Sequence, residues 1–164
     1  MKKTRIIPGP GQESVWDYPR PPRIEQVIGR VVVRLGGVVV AETTGAVRVL
    51  ETSHPPVFYL PLADFTPGAV VPAEGTTFCE FKGEAEYFDV VAGASRVPRG
   101  AWSYPRPVRG YEELATRAAV YPSRMDSCEV DGETVRAQDG DFYGGWITDS
   151  IVGPFKGPPG TWGW

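Results

Sequence analysis

The chain is short of the side chains that build metal centres and redox sites: it has two cysteines, two methionines and one histidine. Cys79 and Cys128 cannot make a disulfide framework, and cysteine this sparse points to a reducing compartment, the cytoplasm. His54, Cys79 and Cys128 are the plausible soft ligands, and no C-x-x-C or H-x-x-x-H pair exists. Zinc is therefore not expected, nor is a cofactor. No apolar run approaches the roughly 18 residues of a membrane helix. The opening MKKTRIIPGPGQ carries charge but no apolar stretch, so it does not read as a signal peptide. G-x-S-x-G, G-x-x-x-x-G-K-[ST] and a G-x-G-x-x-G after a strand are all missing, which leaves out common hydrolase and nucleotide signatures. A net charge of −3 argues against a nucleic-acid partner, whose affinity would come from neutralised phosphates.

Glycine and proline are abundant instead, 20 and 17 of 164 residues, against a usual share of about an eighth. With 41% hydrophobic and 12% aromatic residues the chain is too apolar to be disordered. Strands and turns reconcile the two facts. Residues 1–29 form an arm rich in Pro and Arg, where Pro19, Pro21 and Pro22 favour polyproline II or edge structure. A core follows over 30–137. Its clearest hairpin is GRVVVRLGGVVVAE (29–42), with Gly36–Gly37 permitting the positive φ of a primed turn. Further strands are read at 46–51, 58–60 and 101–104, and a last hairpin turns at Asp131–Gly132. Tyr111, Leu114 and Ala118 recur at helical spacing, which predicts one short α-helix over 110–119. The tail, 138–164, returns to Gly and Pro yet holds Phe142, Tyr143, Trp146, Phe155, Trp162 and Trp164. Aromatic content this high predicts docking on the core or on a partner chain, so a homodimer through the termini is one expectation.

The densest chemistry lies in TTFCEFKGEAEYFDVV (76–91), read as two strands around a tight turn at Lys82–Gly83. That register sets Cys79 opposite Glu86, where nearby carboxylates disfavour a thiolate. Glu51, sharing a strand face with Val47 and Val49, lies either at a strand end in water or inside a pocket. Glu51 and Lys82 would make an acid–base pair if the strands bring them together, with Cys79 as a candidate nucleophile. The alternative for each is a strand-end glutamate, a solvated turn lysine and an inert thiol. His54, between Ser53 and two prolines, is read on a loop that could rim a cleft. Phe-Lys-Gly occurs at 81–83 and again at 155–157, and neither opens a helix that could hold phosphate. WDYPRP (16–21) and WSYPRP (102–107) agree at five of six positions, as two similar extended plugs would.

The run LETSHPPVFYLP (50–61), TTFCEFKGEAEYFDV (76–90), GAWSYPRP (100–107) and VYPSRMDSCEVDG (120–132) resembles the bacterial domain-of-unknown-function family 427. The resemblance covers about 15–132 and carries a nucleotidyltransferase-type family label. It implies a small antiparallel β domain related to the β-tent folds. Many of those hold zinc with four cysteines, which this chain lacks, so no metal is implied. It also implies a cleft around Glu51, Tyr59, Cys79, Lys82, Tyr87, Trp102 and Tyr104.

The combined expectation is a mainly-β protein, an antiparallel twisted sheet folded tent-like with one short α-helix. Tyr59, Tyr87, Trp102 and Tyr104, with His54, offer flat faces and polar tips to a small molecule. The function expected is a cytoplasmic small-molecule binding module. The alternatives are an enzyme using Glu51 and Lys82, with Cys79, and an oligomeric interaction protein.

Overall fold

Alternating β-branched stretches punctuated by glycine turns give sheets that need a partner layer, and the chain supplies one to itself. The computed structural model describes residues 4–140 and 142–164, so the first three residues of the charged opening lie outside them. In chain order the strands are β1 (Glu13–Ser14), β2 (Arg23–Gln26), β3 (Val31–Leu35), β4 (Val38–Thr43), β5 (Val47–Leu50), β6 (Val57–Pro61), β7 (Val70–Cys79), β8 (Gly83–Ala92), β9 (Ser95–Ser103), β10 (Arg117–Val120), β11 (Ser127–Val130), β12 (Glu133–Thr134), β13 (Arg136–Ala137), β14 (Trp146–Ile147) and β15 (Ile151–Val152). Seven form one antiparallel sheet in the order β2-β5-β6-β10-β9-β8-β7, and four form a second in the order β12-β11-β3-β4. β13 pairs with β14, and β1 runs parallel to β15, so the arm and the tail are hydrogen-bonded to each other. No helix among the described residues is long and apolar enough to cross a membrane.

The large sheet is covered on both faces, and strand alternation sorts its side chains. Phe58 and Leu60 of β6, Ala101 of β9, and Ala118 and Val120 of β10 pack in one core with Val31, Val33 and Val40 of the small sheet. The residues between them, Tyr59, Trp102 and Ala119, turn to the opposite face and join Val47, Val49, Tyr104, Tyr111 and Leu114. Arm and tail close a third cluster, with Val15, Trp16 and Tyr18 against Leu50 and Ile151.

The mainly-β antiparallel class is as expected, and both glycine-marked hairpins form. Gly36 and Gly37 take φ of 61° and 77°, and Asp131–Gly132 takes 48° and 82°. The helix over 110–119 does not form. Glu112–Leu114 make a single 3-10 turn, and residues 117–120 are β10, paired to β6 and β9 at once. Two neighbouring strands satisfy more backbone than one helical turn would, so sheet context overrides the helical spacing. The central hairpin also differs in register. Cys79 pairs with Gly83 and Thr76 with Glu86, which leaves a three-residue turn at 80–82. Cys79 is therefore not opposite Glu86. The two W-x-YPRP segments are unlike in backbone: Trp16 sits in a 3-10 turn and Trp102 in β9.

Candidate functional site

The exposed-looking aromatics of the sequence become a wall on one face of the large sheet. Tyr87 and Trp102 are cross-strand partners of β8 and β9, so both side chains take the same face. Trp102 Nε1 donates to Tyr59 Oη at 3.3 Å, with the two rings edge to face at 6.3 Å. Tyr104 lies 6.3 Å beyond Tyr59, and Tyr121 packs on Trp102 at 4.5 Å. Burial raises the Tyr59 and Tyr104 hydroxyls well above the usual phenol range, so both stay protonated. Tyr87 is at the rim, its hydroxyl 2.7 Å from Thr77 Oγ1 and its ring under the Arg99 guanidinium at 4.0 Å. Asp89 holds the bulge that aims Arg99, accepting the Arg99 N–H at 2.9 Å and the Arg96 side chain.

Lys82 does not stand out in water. The 80–82 turn is fastened to the segment after Tyr104 by Val108 N–H donating to the Lys82 carbonyl at 2.8 Å. This half-buries Lys82 and sets its Nζ over the Tyr104 ring at 5.6 Å. Cys79 is partly buried against the same cluster. Lys82 and Glu51 are not an ion pair. Among the described residues Glu51 Oε2 is met by Arg20 Nε at 3.5 Å and His54 Nε2 at 3.6 Å.

Glu51 follows the last residue of β5 and opens the tight turn Glu51–Thr52–Ser53–His54, closed by His54 N–H to the Glu51 carbonyl at 3.0 Å. Ser53 occupies its third position with φ 73°, a conformation that suits glycine there. Arm and tail impose it. Ser53 N–H donates to Val15 O, Lys156 N–H donates to Ser53 O, and Arg20 Nη2 donates to Thr52 O. The Ser53 hydroxyl is fully buried and, among the described residues, meets no hydrogen-bond partner.

His54 is enclosed rather than rimming open water. Its ring meets Tyr143 edge-on at 4.9 Å, and Gln138 Nε2 approaches Nδ1 at 3.5 Å. Gln138 is locked in orientation, since Oε1 accepts from Gly145 N–H and Nε2 donates to the Lys156 carbonyl at 2.7 Å. Nδ1 is thereby assigned as acceptor, and the ring proton sits on Nε2, toward Glu51. Burial first, then the positive charges of Lys156, Arg20 and Lys82, push the imidazole down to about 3, so it is neutral. The tail reaches this place because Gly144 passes Trp102 closely: a Cβ there would lie 2.5 Å from the indole.

The sequence reading missed Arg20, Ser53, Tyr111, Gln138, Tyr143 and Lys156. Signals existed for three of them: Lys156 lies in the second Phe-Lys-Gly, Arg20 in the first W-x-YPRP segment, and Tyr143 among the tail aromatics expected to dock. Tyr111 packs in the aromatic cluster, donates to Pro22 O at 2.7 Å, and walls an open hollow of about 620 Å³ with Pro21, Ile24, Phe81 and Arg109. Among the described residues no group of His, Cys, Asp and Glu is arranged to hold a metal ion. The sequence profile of the family described as Domain of unknown function (DUF427) matches residues 23–131, about two thirds of the chain, and the chain belongs to that family. No curated protein matches it.

Proposed function

We propose that this family member is a small-molecule binding module, with its site where the aromatic wall meets the 51–54 turn. The observation that carries the reading is Ser53, which combines a left-handed backbone with a buried hydroxyl that has no partner among the described residues. Strain and unsatisfied polarity of this kind concentrate where a protein meets a ligand. The surroundings favour binding over acid–base chemistry. Both ring nitrogens of His54 face protein groups, and Glu51 is engaged by Arg20. Neither is left free to shuttle a proton, and the Glu51–Lys82 pair that an acid–base mechanism would use does not form. The protonated phenols of Tyr59 and Tyr104 contribute flat faces and neutral hydroxyls. The hollow beside Tyr111 borders the same aromatic cluster, since Tyr111 belongs to both. Two free thiols fit a reducing cytoplasm.

Thermal shift of the full-length chain against a library of small planar acids, bases and neutral compounds tests the reading. At least one class should raise the melting temperature, and the effect should disappear in His54→Gln and in Lys82→Met. Library members that stabilise both variants as well as the parent, or a library without stabilisers, would overturn it.

A further inference from the structure

Arm and tail wall a second hollow, of about 390 Å³, that shares no residue with the 51–54 turn or the aromatic wall. Five apolar side chains, Ile147, Pro154, Phe155, Pro158 and Trp164, make its sides. All five are half-buried, so apolar surface is left open to the hollow. The sides are fixed before any ligand arrives. Trp16 Nε1 donates to the Pro154 carbonyl at 2.9 Å, and the Trp16 ring meets Trp164 at 5.5 Å. Thr161 ties Pro158 to Trp164: its hydroxyl donates to the Pro158 carbonyl at 2.6 Å, and its carbonyl accepts the Trp164 N–H at 3.0 Å. Ile147 is held in β14 by pairing with Arg136 of β13. A preformed apolar concavity of this size, with a polar group at one point, is how small-molecule sites are commonly built.

The polar group is Asp139, the single ionisable side chain that lines the hollow. It comes close because Gly157 passes its backbone, where a Cβ would collide with the Asp139 carbonyl. Among the described residues no basic side chain lies within 4 Å of its carboxylate. Lys156 adjoins Phe155 in sequence, yet its Nζ stands over Tyr143 at 5.4 Å. Arg5 lies on Trp16 at 5.4 Å, and neither cation lines the hollow. We infer that this hollow, independently of the 51–54 site, takes a small arylalkylamine, its flat body against Phe155, Pro158 and Trp164 and its ammonium facing Asp139. An organic acid would meet like charge there, and a neutral body would leave the carboxylate unused. The aromatic faces favour a flat partner and attract a cation as well. Every residue of the hollow lies outside residues 23–131, so the site belongs to the termini of this chain rather than to the stretch shared with the family.

The Trp164 indole N–H reports on the hollow by NMR, assigned through its disappearance from the spectrum of Trp164→Phe. The full-length chain is titrated with phenethylamine, phenethyl alcohol, hydrocinnamate and methylamine. Phenethylamine should move the resonance saturably, with the alcohol about fivefold weaker and hydrocinnamate weaker still. Methylamine, which lacks the flat body, should leave it in place. Asp139 is exposed, so its charge is worth only a few-fold in affinity. Asp139→Asn should therefore weaken phenethylamine about fivefold, to the level of the alcohol, and leave the alcohol unchanged. Asp139→Glu should keep the preference for the amine, which separates charge from shape. The alcohol or the acid binding as tightly as the amine, or an amine affinity unchanged in Asp139→Asn, would sink the inference. A Trp164 indole that methylamine moves as readily as phenethylamine, or that phenethylamine at tens of millimolar does not move, also overturns it.

Discussion

His54 shows how surroundings decide a single residue's charge. Its ordinary value is 6.5 and the folded value about 3, because burial and three cations oppose protonation. Above pH 6.5 the ring is neutral in both folded and unfolded chains and contributes no pH dependence. Below it the unfolded chain alone takes the proton, so stability falls steadily toward pH 3, by on the order of 1–2 kcal/mol at pH 5. NMR of the ring should show no titration between pH 8 and 5, and a midpoint near 6.5 would refute the enclosure. Ser53 offers a second test. Its left-handed backbone costs roughly 1–2 kcal/mol and its orphaned hydroxyl about 1–3, against about 0.5–1 for the extra freedom of an unfolded glycine. Ser53→Gly should therefore stabilise the ligand-free chain by about 1 kcal/mol or more in urea unfolding. Ser53→Ala, which keeps the strain, should gain less. If both variants are clearly destabilised, the hydroxyl has a partner and the strain is no longer evidence of a site.

At the scale of elements, legibility tracked how local the deciding chemistry was. Gly36–Gly37 and Asp131–Gly132 specify hairpins from two residues each, and the chain cannot evade them. β10 was illegible because Arg117–Val120 become a strand only through β6 and β9, which are distant in sequence. The turn falls at 80–82 instead of 82–83, which moves the pairing by three residues, for a related reason: Lys82 is fixed by Val108, not by its own hairpin. The candidate site was half legible. Tyr59, Tyr87, Trp102 and Tyr104 do gather on one face, whereas the partners of His54 come from Arg20, Gln138 and Tyr143 and leave no local trace. The arm's attachment is equally non-local. Arg48 of β5 holds Glu13 at 2.7 Å and Glu25 at 2.6 Å, and Tyr18 donates to Glu13 at 2.9 Å. Arg48→Met would strand these partly exposed carboxylates, and the expected loss is about 1–3 kcal/mol by urea titration, discounted for their exposure. An unchanged midpoint would mean the arm is held by its aromatics alone.

For the whole molecule, the question is whether the tail is an appendage or part of the core. The family profile ends at residue 131, yet Trp146 lies beyond it and is fully buried. Its ring stacks on Phe58 of β6 at 4.7 Å and 12°, its N–H donates to Pro56 O at 2.8 Å, and its indole N–H reaches Val120 O. Trp146 thus sits in the main core between the sheets, beside Leu60 and Val120. Other tail aromatics differ: Phe155 is half-buried, whereas Phe142 and Trp162 remain exposed. Removing a buried tryptophan ring leaves a cavity that costs about 3–5 kcal/mol. In a chain of this size each kcal/mol lowers the melting temperature by roughly 2–4 °C. Trp146→Ala should therefore melt on the order of 10 °C lower, whereas Trp162→Ala should leave the melt nearly unchanged. Truncation after Gly140 removes Trp146 and the β15 strand that anchors the arm, so it should abolish cooperative unfolding and expose a dye-binding surface. A truncated chain that melts cooperatively near the full-length temperature would show that the tail only rests on the surface.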